Sequence, residues 1–118
     1  MANVLIVDDD QRLLEATAAL VESAGHTVRC AGDGEHALRL ARAEKIDIVL
    51  TDYTMPLMNG LQLARAIEMD PVLSAIPVLL VSAVATPPGG SSIRASLRKP
   101  VTGARLLELI VSLTLARS

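Results

Sequence analysis

Short, nearly continuous apolar runs alternate along this chain with longer stretches in which apolar residues recur every three or four positions. Val4-Leu5-Ile6-Val7, Ile46-Asp47-Ile48-Val49-Leu50 and Pro77-Val78-Leu79-Leu80-Val81 are of the first kind and read as buried strands. The first strand is expected at about Asn3 to Val7, followed by a helix from about Asp10 to Gly25 with Leu13, Leu14, Thr17, Leu20 and Val21 on its inner face. His26 to Cys30 reads as a second strand and Gly34 to Glu44 as a helix with Ala37, Leu38 and Ala41 inward. The third strand, Ile46 to Thr51, leads past Pro56 and Gly60 to a helix carrying Leu61, Leu63, Ala64 and Ile67, closed before Pro71. Pro77 to Val81 is the fourth strand, with proline tolerated at its first position. Thr86-Pro87-Pro88-Gly89-Gly90-Ser91-Ser92 then breaks the rhythm where a fourth helix should lie. A short strand around Ala95 to Leu97 and a final helix from about Thr102 to Arg117, with Leu106, Leu107, Ile110, Leu113 and Leu115, complete the pattern. This alternation predicts βαβ units and a parallel sheet.

Composition narrows the picture. The 118 residues suit one domain, and an apolar share of 51% allows a sizeable core. That core is almost purely aliphatic, because Tyr53 is the only aromatic residue. A net charge of −2 without a basic cluster argues against a nucleic-acid partner. No apolar run approaches the roughly 18 residues of a membrane span, and the start of the chain lacks the basic flank of a signal peptide. The single Cys30 excludes an internal disulfide, suits a reducing, cytoplasmic compartment, and is expected to serve plain packing. His26 and His36, without metal-ligand spacing, read as structural or solvated, and Arg94 and Arg98 as solvated.

The chemistry lies at strand ends. Asp8 and Asp9 close the first strand, Asp52 closes the third, and Lys99 precedes Pro100. In a parallel α/β sheet these ends meet at one edge, where ligands bind. Three carboxylates gathered there repel each other and need a divalent cation, a lysine, or both to remain ionised. The set therefore reads as a metal and phosphoryl site with Asp52 the best-placed acceptor. Blander roles exist for each member: helix caps for Asp8 and Asp9, a turn acid for Asp52, a plain strand-end hydroxyl for Ser82. The joint occurrence of Asp8, Asp9, Asp52 and Lys99 weighs against them.

Four motifs in order resemble the receiver domain of two-component response regulators. They are Val7-Asp8-Asp9 followed by Asp52, then Met55-Pro56-Leu57-Met58-Asn59-Gly60, then Ser82-Ala83, then Lys99-Pro100. The step of 43 positions from Asp9 to Asp52 and that of 30 from Asp52 to Ser82 also match. The resemblance implies a receiver domain over residues 1–118, with a flavodoxin-like, doubly wound five-stranded parallel sheet in the order 2-1-3-4-5. It implies that Asp52 is the phosphoacceptor. Asp9, Asp52 and the Thr54 carbonyl would bind Mg²⁺ directly, with Asp8 acting through water. Ser82 would hydrogen-bond the phosphoryl group, and Lys99 would pair with it. The implied partners are a histidine kinase or phosphotransfer protein and a downstream protein of unknown identity.

Two departures bear on output. The family usually carries Tyr or Phe three residues before the lysine, an aromatic that moves inward on phosphorylation; here that residue is Ser96. Only 17 positions separate Ser82 from Lys99, so the fourth helix is expected to be shortened or missing. An altered face there would leave Ile93 and Leu97 available for a different partner or a homodimer. The leading reading is a phosphoacceptor switch rather than a turnover enzyme. A receiver-like scaffold that no longer switches is the alternative. A phosphohydrolase is disfavoured, because Thr54 stands where such enzymes often place a second aspartate.

Overall fold

The computed structural model describes residues 1–83 and 93–117. Five strands, β1 (Asn3–Val7), β2 (Thr27–Ala31), β3 (Ile48–Asp52), β4 (Val78–Ser82) and β5 (Ile93–Arg98), form one parallel sheet in the order β2-β1-β3-β4-β5. Among the described residues the helices are α1 (Gln11–Ser23), α2 (Gly34–Ala43), α3 (Gly60–Met69) and α4 (Gly103–Arg117). The sheet is the one expected, with β2 to β4 displaced by one or two residues. The shortened or missing helix expected between β4 and β5 falls on residues 84–92, which lie outside the described residues.

Alternation along the strands makes two cores. Leu5, Val7, Val49 and Val78 meet Ala37, Leu38, Leu63 and Ile67 of α2 and α3 on one face. Val4, Ile6, Ile48, Leu50 and Leu79 meet Leu14, Val21, Leu106 and Ile110 of α1 and α4 on the other. Side-chain caps start the helices: Asp10 for α1, Asp33 for α2, and a reciprocal Asn59–Gln62 capping box for α3. Gly25, at φ 94°, takes the left-handed conformation just past the end of α1.

Several expectations require correction. The buried face of α1 is Leu14, Ala18 and Val21; Leu13 is 46% exposed, and Thr17 and Leu20 are half-buried along the border with the α4 side. In α4, Leu106 and Ile110 are buried and Leu107 and Leu113 half-buried, whereas Leu115 is 68% exposed. Leu115 stands in the last turn of the 15-residue α4, beyond the buried positions Leu106 and Ile110. Cys30 is exposed rather than packed, because β2 is an edge strand that α1 covers incompletely.

A register slip between Val78 and Leu79 carries β5 past Arg94, so Ile93 packs with the α2–α3 core and Leu97 with the α1–α4 core. Both are half-buried on opposite faces and do not form one exposed patch. His26 is buried, its Nδ1 accepting the Ala2 N–H at 3.0 Å, in keeping with a structural role, while His36 is half-buried. Arg94 and Arg98 are exposed as expected.

Candidate functional site

The order of the sheet reverses at β1, where the chain first crosses to β2 and then to β3 on the opposite side. Such a switch point opens a crevice at the carboxyl ends of the strands. Val7 pairs in register with Thr51, so the next residue of each strand, Asp8 and Asp52, stands at that rim. The Asp8 N–H donates to the Ala31 carbonyl at 3.1 Å, and its Oδ1 accepts the Asp10 N–H at 2.9 Å. Asp9 is exposed between them, and Asp10 caps α1.

From the other side, the Lys99 N–H donates to the Ser82 carbonyl at 2.7 Å, extending the β4–β5 ladder by one residue. Its Nζ lies 3.0 Å from Asp52 Oδ1. The Lys99–Pro100 peptide is cis. Ser82 is buried at the end of β4, and Thr54 is exposed two residues beyond Asp52.

One oxygen each of Asp8, Asp9 and Asp52 lie within 4.8 Å of one another. Burial pushes the Asp8 carboxyl above the ordinary carboxylate range, with the charges of Asp52 and Asp9 adding to it. The Asp10 N–H and the Lys99 ammonium oppose that shift. One ammonium against three carboxylates leaves an excess of negative charge. An all-oxygen, multiply charged donor set of this kind fits a hard divalent cation such as Mg²⁺.

The loop from Tyr53 to Asn59 forms another part of the rim. The Tyr53 N–H donates to the Val81 carbonyl and the Gly60 N–H to the Tyr53 carbonyl, both at 2.8 Å. A Cβ on Gly60 would lie 2.5 Å from the Asp52 carbonyl and 2.6 Å from Leu80 Cδ1. Glycine thus lets the N-terminus of α3 rest directly on the peptide of Asp52. Inside this loop the Met58 N–H donates to the Pro56 carbonyl at 2.8 Å, and Leu57 between them has φ 70°. That is a γ-turn of the strained hand, and a left-handed leucine costs about 1–2 kcal/mol.

Sequence reasoning missed both features. The Asn59-Gly60 turn signal was present without its contact, and leucine carries no signal for a γ-turn. It also missed a cleft of about 590 Å³ between α1 and the β5–α4 connection, running from Leu13 and Leu20 down to Asp8, Asp52 and Lys99. Ser96 is half-buried opposite Leu80, and Tyr53 is half-buried beside Asp52.

No helix among the described residues is long and apolar enough to cross a membrane. Among known proteins, the chain is similar to PilH of Pseudomonas aeruginosa, 44% identical over 82 residues that span 70% of this chain and 68% of that protein. It is 31% identical over 115 residues to the polar-differentiation response regulator DivK of Brucella anthropi, covering 93% of this chain and 94% of the relative. By contrast, it spans 11% of a gliding motility regulatory protein of Myxococcus xanthus, at 39% identity. A chemotaxis response regulator of Vibrio cholerae superposes with a TM-score of 0.85 at 27% identity, over 96% of this chain and 98% of the other. Residues 4–110 match the family model of the response regulator receiver domain. The chain therefore belongs to the response regulator receiver domain family of two-component signal transduction.

Proposed function

We propose that the chain, a receiver domain over residues 1–118, accepts a phosphoryl group on Asp52 from a phosphohistidine of a histidine kinase or phosphotransfer protein. It then signals by protein contact in the cytoplasm. The observation that carries this reading is the convergence of Asp8, Asp9 and Asp52 within 4.8 Å, answered by Lys99 at 3.0 Å from Asp52. A carboxylate oxygen of Asp52 attacks phosphorus, the P–N bond breaks, and its electron pair leaves on the imidazole nitrogen. The Lys99 ammonium, a compact point charge, shifts from the carboxylate toward the phosphoryl oxygens as their charge spreads. The Ser82 hydroxyl hydrogen-bonds one of those oxygens.

Asp9, Asp52 and the Thr54 carbonyl would hold Mg²⁺, with Asp8 acting through water. When bound, the ion supplies oxygen coordination and charge neutralisation for the phosphoryl group. The product is a mixed anhydride that water eventually cleaves, so the domain catalyses its own phosphorylation and dephosphorylation without turning over a free substrate. A scaffold that no longer switches is the weaker reading, because it leaves this cluster unexplained. Beryllofluoride with Mg²⁺ should move amide resonances near Ser82 and Ser96; bound ligand without such shifts would favour the scaffold.

Asp52→Asn is expected to abolish labelling by acetyl phosphate with Mg²⁺, read by mass spectrometry, while the circular dichroism spectrum stays native. Full labelling of that variant would remove Asp52 from its role.

A further inference from the structure

We infer that the cleft between α1 and the β5–α4 connection binds an amphipathic organic cation, a protonated amine or guanidinium on an aliphatic or aromatic body. Its head takes the place of a divalent cation at Asp8 and Asp52, and so holds the domain unphosphorylated. The regulatory half of this inference rests on Asp52 being the acceptor. The first reason is shape. The cleft encloses about 590 Å³, within the range of small-molecule sites. Ile6, Leu50 and Val81 of three adjoining strands form its floor. Val81 is the one half-buried residue of β4, although β4 is an interior strand. On the walls, a Cβ on Gly103 would stand 3.2 Å from Leu20 Cδ2, so α1 and α4 come close at that point.

The second reason is unburied apolar surface. Leu13 is 46% exposed, and Leu20 and Val101 are half-buried along the same cleft. A ligand body lying there would remove this surface from water. The third is charge. Asp8, Asp52 and Lys99 supply the ionic end of the cleft. The Lys99 ammonium is already engaged with Asp52 at 3.0 Å, and Asp8 forms no salt bridge among the described residues. The ionic end therefore carries surplus negative charge beside apolar walls, where water screens it poorly. An acidic cluster alone would accept any cation. The apolar walls that adjoin it are what select an organic one.

The experiment uses 4-phenylbutylamine as the probe, with 4-phenylbutanol as its uncharged counterpart. On the metal-free protein at neutral pH, the amine should bind at least about tenfold more tightly than the alcohol, by calorimetric titration. Its largest amide shifts should fall at Thr17, Val101 and Gly103. Thr17→Leu, which fills the cleft, and Asp8→Asn, which removes the unpaired charge, should each weaken binding about tenfold. Ala19→Leu, on the exposed face of the same helix, should leave the affinity unchanged. Saturating Mg²⁺ should displace the amine, and the amine should slow labelling of wild type by acetyl phosphate. Equal affinity for amine and alcohol would overturn the inference, as would unchanged binding in Thr17→Leu or in Asp8→Asn. So would an amine that binds without competing with Mg²⁺ or slowing labelling. Failure of wild type to label without any amine would instead sink the acceptor assignment of Asp52. The affinities of the amine, the alcohol and the variants would still decide whether the cleft is a cation site.

Discussion

The centre of the sheet and its β5 edge are built to different standards. Ile48, Val49, Leu50 and Thr51 of β3 are all buried, whereas every residue of β5 from Ile93 to Arg98 is half-buried or exposed. The centre delivers Asp8 and Asp52 from strands locked between two cores, and the edge delivers Lys99 through one backbone bond and one ion pair. Holding repelling carboxylates in place demands rigid backbone, because their own electrostatics would spread them apart. A single ammonium attracted to them needs less enforcement. The edge is also where the chain departs from its family, with Ser96 in place of the aromatic that the resemblance implies. Under the proposed function, capture of the phosphoryl group and transmission of its arrival would draw on regions of different stability.

The largest expected contrast compares one leucine from each region. Leu79, fully buried in β4, should cost about 2–5 kcal/mol when changed to alanine. Leu97, half-buried in β5, should cost about 1 kcal/mol or less, since it already touches solvent. Urea denaturation of the two variants measures the difference. Equal losses would show that the edge is as much a part of the core as the centre.

A smaller effect tests how tightly α3 is seated on β3, the strand that ends in Asp52. Gly60→Ala places a methyl group against the Asp52 carbonyl and Leu80, and should destabilise the fold by about 1–3 kcal/mol. It should also slow labelling by acetyl phosphate, because the displaced backbone is that of Asp52. Gly32→Ala is the control: a Cβ there meets nothing within 4 Å, so stability should change by no more than about 0.5 kcal/mol. A Gly60 variant as stable and as readily labelled as wild type would show that the seat can yield.

The same division explains what was legible in the sequence. Central strands announce themselves, since burial on both faces forces continuous runs such as Val4–Val7 and Ile48–Leu50. The acids were legible for a related reason: a charged residue directly after such a run has little to do except stand at the sheet edge. At the margins the signals weaken. Cys30 is exposed because topology makes β2 an edge strand, which nothing in Thr27–Ala31 encodes. The face that Leu97 presents depends on the slip past Arg94, a feature of pairing rather than of pattern. Leu13 fits a helical stripe as well as Leu14 does, and only the placement of α1 against β1 decides between them. Leu57 shows the reverse problem: an apolar residue near a motif suggests burial, whereas the turn lifts it into solvent.

The smallest predicted effect asks whether the centre stores unfavourable charge. Burial first, then the charges of Asp52 and Asp9, raises the Asp8 pKa above its ordinary value of 3.8. The fold therefore holds that proton more tightly than the unfolded chain does. The stabilisation that follows is fully present below pH 3.8 and is lost as pH rises through the folded value. At neutral pH the metal-free protein consequently carries a penalty that Asp8→Asn should remove. Because Asp8 is partly exposed, the gain should stay below about 1 kcal/mol. Metal should compete with the same proton, so Mg²⁺ affinity should weaken on acidification before pH reaches the usual carboxylate range. Thermal melts of wild type and Asp8→Asn between pH 4 and pH 8 without metal, followed by Mg²⁺ titrations of wild type, measure both effects. Superimposable pH profiles for the two proteins would mean that Lys99 already offsets the repulsion. The loosely held edge would then be setting the electrostatics of the rigid centre.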